Sequence, residues 1–92
     1  MGRKSAMSGE RYRELVYACR QYEQYRTWPG RKGQARRAAI EEAARRAGVG
    51  LEKYLLRNVV DGVPWEELPV PCGRRQFYDA RRRFFAELDR LL

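Results

Sequence analysis

Histidine is missing from this chain, and cysteine occurs only twice, at Cys19 and Cys72. Without histidine no Ser–His or Cys–His nucleophile pair can form. Two distant cysteines make no C-x-x-C zinc pattern, and no other set of metal ligands clusters. A phosphate-binding G-x-x-x-x-G-K-[ST] loop is also lacking, and Gly30 to Gly33 reads as a basic turn. Glu41-Glu42 and Glu66-Glu67 are adjacent pairs, so on a helix their carboxylates diverge and share no site. Each reaction class lacks its parts. The expectation is a non-enzyme with no cofactor, no metal and no small-molecule substrate. No apolar run approaches the roughly 20 residues that span a bilayer. The opening MGRKSAMSGE has basic residues with no apolar core behind them, unlike a secretory signal. Cytoplasm is the expected location, with both thiols reduced there.

What is abundant is positive charge. Across 92 residues, twenty Lys/Arg oppose twelve Asp/Glu, giving a net charge of +8 and a pI near 10.1. That balance favours polyanion partners. The excess is uneven: ten basic and three acidic residues in 1–37, four and six in 38–71, six and three in 72–92. The two ends form one patch only if they meet in space. A chain of this length makes one small domain with a modest core and no deep catalytic cavity.

Residues 1–9 read as a flexible arm, small and basic. Ser8 is placed to cap a helix with Glu10 in its first turn. Tyr12, Leu15, Val16, Cys19 and Tyr22 form an apolar helical stripe that predicts a helix to about Tyr25. Tyr12 and Tyr22 are expected in the core. Tyr12, Tyr17, Tyr22, Tyr25 and Trp28 together could offer a base-stacking surface for single strands, against which stands the core placement of Tyr12 and Tyr22. Tyr17, Tyr25 and Trp28 fall off the stripe and are candidates for a protein–protein surface such as a dimer contact. Pro29 and Gly30 stop this helix. An alanine-rich second helix is predicted from Gln34 to Ala47, its small side chains admitting a close neighbour, with Gly48 as its C-cap. A third is predicted from Leu51 to Asp61, apolar on most sides and so expected at the centre of the core. Gly62 ends it. Pro64 to Leu68 reads as one short helical turn, closed by Pro69 and Pro71. A last helix runs from Cys72 or Gly73 to the C-terminus. There is no strand signal and no repeat. The chain reads as all-α: a small bundle of four to five helices, with residues 10–92 as a single domain and a helix-turn-helix-like unit over 51–92.

The last helix has two faces. Phe77, Ala80, Phe84, Leu88 and Leu91 share one side, with Phe85 and Leu92 flanking. The third helix and Trp65 are the expected partners of this stripe. Arg75, Tyr78, Asp79, Arg82 and Ala86 lie opposite, with Arg74, Arg81 and Arg83 on the shoulders. Arginine forks match guanine edges and phosphate oxygens, and a helix start directs N–H groups at whatever lies in front. In a helix-turn-helix, residues near the start of the second helix reach the bases. Here those are Arg74, Arg75, Gln76 and Tyr78. Arg81, Arg82 and Arg83, with the loop residues Arg31 and Lys32, are the candidate phosphate contacts. The same charges also suit a plain solvated face, since Arg75, Asp79 and Arg83 are spaced for surface ion pairs. Cys72, just before a basic helix, is either an activated thiol or a small residue filling the helix start.

From Tyr54 to Leu92 the chain resembles the helix-turn-helix of sigma-factor region four and related small phage regulators. The carrying features are an apolar helix ending in Asp61-Gly62, then Trp65-Glu66-Glu67-Leu68, then a capped basic helix. Val70-Pro71-Cys72-Gly73-Arg74, Phe77-Tyr78 and Arg82-Arg83-Phe84-Phe85 look similar to small prophage proteins. This resemblance covers about the last 40 residues. Its turn departs from the sigma-type pattern, with Pro69-Val70-Pro71 where a small residue and glycine are usual. The resemblance implies a DNA-associated, regulatory role in a bacterial host, with double-stranded DNA as partner and a homodimer as an option. The other reading is a helical protein–protein module or phage assembly adaptor, using the off-face aromatics and the C-terminal leucines.

Overall fold

The computed structural model describes residues 7–92. Most of the expected N-terminal arm, residues 1–6, lies outside them. Four α-helices follow in order: α1 (Gly9–Arg20), α2 (Lys32–Ala47), α3 (Glu52–Asp61) and α4 (Arg74–Leu91). Two 3-10 segments, Tyr22–Thr27 and Trp65–Glu67, lie between them. No strand occurs among the described residues, and the all-α class is as the sequence indicates.

Ser8 starts α1 as its side chain suggests: Oγ accepts the Arg11 backbone N–H at 3.0 Å. The helix does not continue to Tyr25. At Gln21 the backbone N–H is shared between Tyr17 and Ala18 carbonyls, both at 3.2 Å, and the chain tightens into the 3-10 segment. In that geometry residues three apart eclipse. Tyr25 therefore comes round to the side of Tyr22, against the expectation that it falls away. It is 3 % exposed, and its hydroxyl donates to the Ala18 carbonyl at 2.8 Å. Tyr12, expected inside, instead covers the edge of the core at 37 % exposure, its ring meeting Phe85 edge-on at 5.1 Å. Tyr17 and Trp28 stay exposed.

The largest interface joins α2 to α4. Ile40, Ala43, Ala44 and Ala47 are buried on α2; Phe77, Ala80, Phe84, Phe85 and Leu88 are buried on α4. Gly48 sits against Ala80, Arg83 reaches the Ala47 carbonyl, and Arg46 pairs with Glu87. Falling numbers on α2 meet rising numbers on α4, so the two helices run antiparallel. The partner of the α4 stripe is thus mainly α2, where the sequence suggests α3. The alanines explain the correction: they let α4 approach closely and leave its phenylalanines to fill the space. Helix α3 lies to the flank, packed on α1 and α2. Only Leu55 and Val59 are buried on it, while Tyr54, Leu56 and Val60 are half-buried. This corrects its expected central place.

Glycines at the helix ends do different things. Gly62 takes φ 76° and ends α3, with the N–H groups of Gly62 and Val63 returning to the Asn58 and Arg57 carbonyls. Left-handed backbone there suits glycine. Gly48, by contrast, leaves α2 in extended backbone at φ −171°, not as the left-handed cap its type suggests. Gly33 is needed for close approach: a Cβ there would lie 2.0 Å from the Tyr25 carbonyl oxygen. The first turn of α2 is pressed against the 3-10 segment at this point.

Gly33→Ala should therefore destabilise by about 1–3 kcal/mol or more, as overpacking does. An open helical site would show the opposite sign, a gain of up to about 1 kcal/mol. Urea unfolding followed by circular dichroism gives the sign.

Cys19 supplies a second expected outcome. Its buried thiol is pushed up to about 12, chiefly by burial, with Arg81 and Arg20 pulling the other way. The folded value exceeds the unfolded one, so the contribution is complete below the ordinary thiol value of about 8.5 and is lost as pH rises toward the folded value. Stability should fall by about 1.4 kcal/mol per pH unit once the unfolded thiol ionises. Burial also raises Tyr22 and Tyr25, whose contributions are lost at higher pH. Between about pH 8.5 and 10, below the ordinary tyrosine value, the slope belongs to Cys19. Cys19→Ala should flatten it in denaturation curves measured across that window.

Candidate nucleic-acid interface

The start of α4 is open. Gly73 precedes it in extended backbone and offers no capping side chain, and the first turn holds no acidic residue. The leading N–H groups have no helical partner and carry the positive end of the helix dipole. Arg74, Arg75 and Gln76 are all exposed there. Arg75 and Gln76 make no side-chain hydrogen bond or ion pair among the described residues. Arg74 lies over the Tyr78 ring at 5.9 Å, and Tyr78 stands edge-on to Phe77 at 5.5 Å. Buried Phe77 thereby fixes Tyr78, and Tyr78 steadies Arg74.

Further along, the arginines separate by what they touch. Arg82 is exposed and pairs with Asp79, so the carboxylate that would repel a phosphate is met locally. Arg81 points inward. Its Nε donates to Asn58 Oδ1 at 2.7 Å and its Nη1 to the Tyr12 hydroxyl at 2.9 Å, with the guanidinium 4.9 Å from the Phe85 centroid. One side chain thus ties α4 to α3 and α1. Arg83 donates from Nε to the Ala47 carbonyl at 2.9 Å and closes the C-terminal end of α2. Arg81 and Arg83 therefore hold the helix in place as well as charging it.

Sequence pattern alone does not single out Asn58. Its Nδ2 donates to the Val63 carbonyl at 2.9 Å while its Oδ1 receives Arg81. It fixes both the chain leaving α3 and the phase of α4. A lone amide in an apolar helix is the available signal.

The connection from α3 to α4 covers residues 62–73, longer than the three or four residues of a short helix-turn-helix joint. The turn expected at Pro64 to Leu68 is a 3-10 turn at Trp65–Glu67, ended by a Leu68 N–H bond to the Trp65 carbonyl at 3.0 Å. Leu68 is buried, and Trp65 Nε1 donates to the Cys72 carbonyl at 3.3 Å. These contacts and the prolines at 69 and 71 tie the connection back on itself. Cys72 is a free, half-buried thiol whose carbonyl is engaged in this way.

Arg31 and Lys32 are exposed but lie at the other end of the molecule. Antiparallel packing sets the start of α2 opposite the C-terminal end of α4. At 1.5 Å per residue, about 30 Å of helix separates Lys32 from Arg75. These two basic ends are not one patch. Among the described residues no group of three metal-ligating side chains forms, and no helix is long and apolar enough to cross a membrane. Neither a family model, nor a curated protein, nor a solved structure matches the chain.

The two kinds of arginine should separate on mutation. Arg81→Ala strands Asn58 and Tyr12 and should cost about 1–2 kcal/mol of stability. Arg82→Ala breaks one exposed ion pair and should cost under about 0.5 kcal/mol. Equal thermal shifts for both would contradict the inward role of Arg81.

Proposed function

We propose that this protein is a small duplex-DNA-binding regulator of phage type, acting in the cytoplasm of a bacterial host and docking the N-terminal half of α4 in a major groove. The observation that carries the reading is the open start of α4: unpartnered Arg75 and Gln76 beside uncapped N–H groups, on a helix whose opposite face is fully anchored. A groove about 12 Å wide admits such a helix. Arg74, Arg75, Gln76 and Tyr78 face the base edges. Arg82 takes a phosphate, exchanging Asp79 for it, and the outer donors of Arg81 and Arg83 add to the field. The resemblance to sigma-type and prophage regulators supports the reading through the residues of α4 alone, since the joint before it is longer than a helix-turn-helix joint. A homodimer fits this reading without being required by it.

The test is fluorescence anisotropy with random-sequence duplex DNA over a range of salt concentrations. Affinity should fall steeply with salt, and Arg75→Ala/Arg82→Ala should reduce the log–log slope by about 0.9 for each phosphate that is no longer neutralised. An unchanged slope and affinity in the double variant would remove this face from the binding site.

One observation favours a protein partner instead. An apolar groove of about 440 Å³ runs between α3 and the following turn, lined by Tyr54, Leu56, Leu68 and Pro69 with Lys53 and Arg57 on its rim. A stable oligomer in sizing experiments that ignores DNA at moderate salt would favour an interaction module or adaptor.

A further inference from the structure

The segment from Gln24 to Ile40 holds five basic side chains and no carboxylate. The fold gathers it at one end, where the 3-10 segment meets the start of α2. A cavity of about 320 Å³ opens there, lined by Tyr25, Arg26, Trp28, Gly30, Gln34 and Arg37. Trp28 is 40 % exposed. Its ring is set by the buried Tyr25 ring, edge-on at 5.0 Å, and by the Arg36 guanidinium at 5.5 Å. Tyr25 at the edge and Arg36 over the ring leave part of the indole open to solvent. Arg31, Lys32 and Arg36 form no ion pair among the described residues, and Arg37, stacked on Tyr22 at 4.8 Å, keeps a buried Nε with no hydrogen-bond partner.

We infer that this end binds single-stranded nucleic acid, taking one unpaired base against Trp28 in the cavity and the flanking phosphates on Arg31 and Lys32. A fixed aromatic face beside a cationic rim is the usual means of holding a single strand. The Gln34 amide on the cavity wall has both a donor and an acceptor for a base edge. A duplex keeps its base faces stacked inside and has nothing to offer the indole. The positive rim supplies phosphate attraction for either form, so the aromatic element decides between them. This site is distinct from the α4 face and does not rest on the reading of that face.

The test uses a twenty-nucleotide oligo-dT, the matching oligo-U, and a blunt duplex of equal length. The chain has two tryptophans, so indole N–H resonances report two signals, assigned with Trp28→Phe. The Trp28 signal should move on titration with oligo-dT, and Trp28→Ala should weaken single-strand binding about 5- to 100-fold, the loss of one base stack. Duplex binding should be unaffected, and Trp28→Phe should restore most of the single-strand affinity. Arg31→Glu/Lys32→Glu, at exposed positions without internal partners, should also weaken oligo-dT binding and keeps the test open if Trp28→Ala fails to fold. A stationary Trp28 signal at saturating oligo-dT, or equal weakening of duplex and single strand by Trp28→Ala, would overturn the inference. If the duplex binds and oligo-dT does not, this inference fails and the α4 reading stands. Binding of oligo-dT alone reverses that result.

Discussion

The contact on which the rest of the molecule depends is the antiparallel seam between the alanines of α2 and the phenylalanines of α4. Ala43, Ala44 and Ala47 present almost no side chain, so the α4 backbone comes close enough for Phe77, Phe84 and Leu88 to be fully enclosed. Alanine loses no side-chain entropy on burial, and the large rings bring most of the apolar area. Larger residues on α2 would push α4 outward and open gaps around those rings. The ion pair of Arg46 with Glu87 and the bond from Arg83 to the Ala47 carbonyl lie on the rim. They fix the register of a seam that packing already favours.

Much of this is legible in the sequence. Helical periodicity locates α2, α3 and α4 to within about two residues and overruns the end of α1, Ser8 and Gly62 mark helix ends correctly, and the apolar stripe of α4 is visible in its spacing. What escapes has physical causes. α-Helical phase sets Tyr25 off the stripe, and a change to 3-10 winding at Gln21 adds about 20° per residue and turns it back in line with Tyr22. Tyr12 lies on the stripe but at its outer end, where Phe85 and Arg81 meet it and leave part of the ring exposed. The partner of α4 escapes because pattern shows that a face is apolar, not which face it meets. Alanine content signals close approach but cannot name the neighbour.

The arginines show the same limit for the candidate interface. Arg81, Arg82 and Arg83 are consecutive and chemically identical, yet one joins three helices, one lies outward beside Asp79, and one closes α2. Steps of 100° around the helix turn them to different neighbours, and only the tertiary structure supplies Asn58, Tyr12 and the Ala47 carbonyl. A guanidinium with fixed internal partners is a poor choice for reading a base, because moving it leaves those partners unsatisfied. An unpartnered one gives up hydration and rotamer freedom on binding but leaves no internal partner unsatisfied. This distinction directs attention to the beginning of α4, where Arg75 and Gln76 have no internal role.

Antiparallel packing also determines how the net charge of +8 acts. Much of the charge is paired: Glu42 with Arg45 and Arg46, Glu87 with Arg46 and Arg90, Asp89 with Arg11, Asp61 with Arg57, Glu23 with Arg26, and Asp79 with Arg82. These pairs cancel locally and contribute little field at a distance. Among the described residues, groups of unpaired cations remain at the beginning of α4 and the beginning of α2, about 30 Å apart along the helices, with Arg13, Arg20 and Lys53 unpaired elsewhere. At physiological ionic strength the screening length is about 8 Å, so neither end feels the other through solvent. A polyanion at one end neither attracts nor repels one at the other, and the two sites should titrate independently. The two ends also differ in kind. One is an uncapped helix start with exposed arginines, and the other is a cavity with an aromatic wall. Under the two proposals the same excess of arginine would serve two different modes of contact, kept apart by the antiparallel packing of α2 and α4.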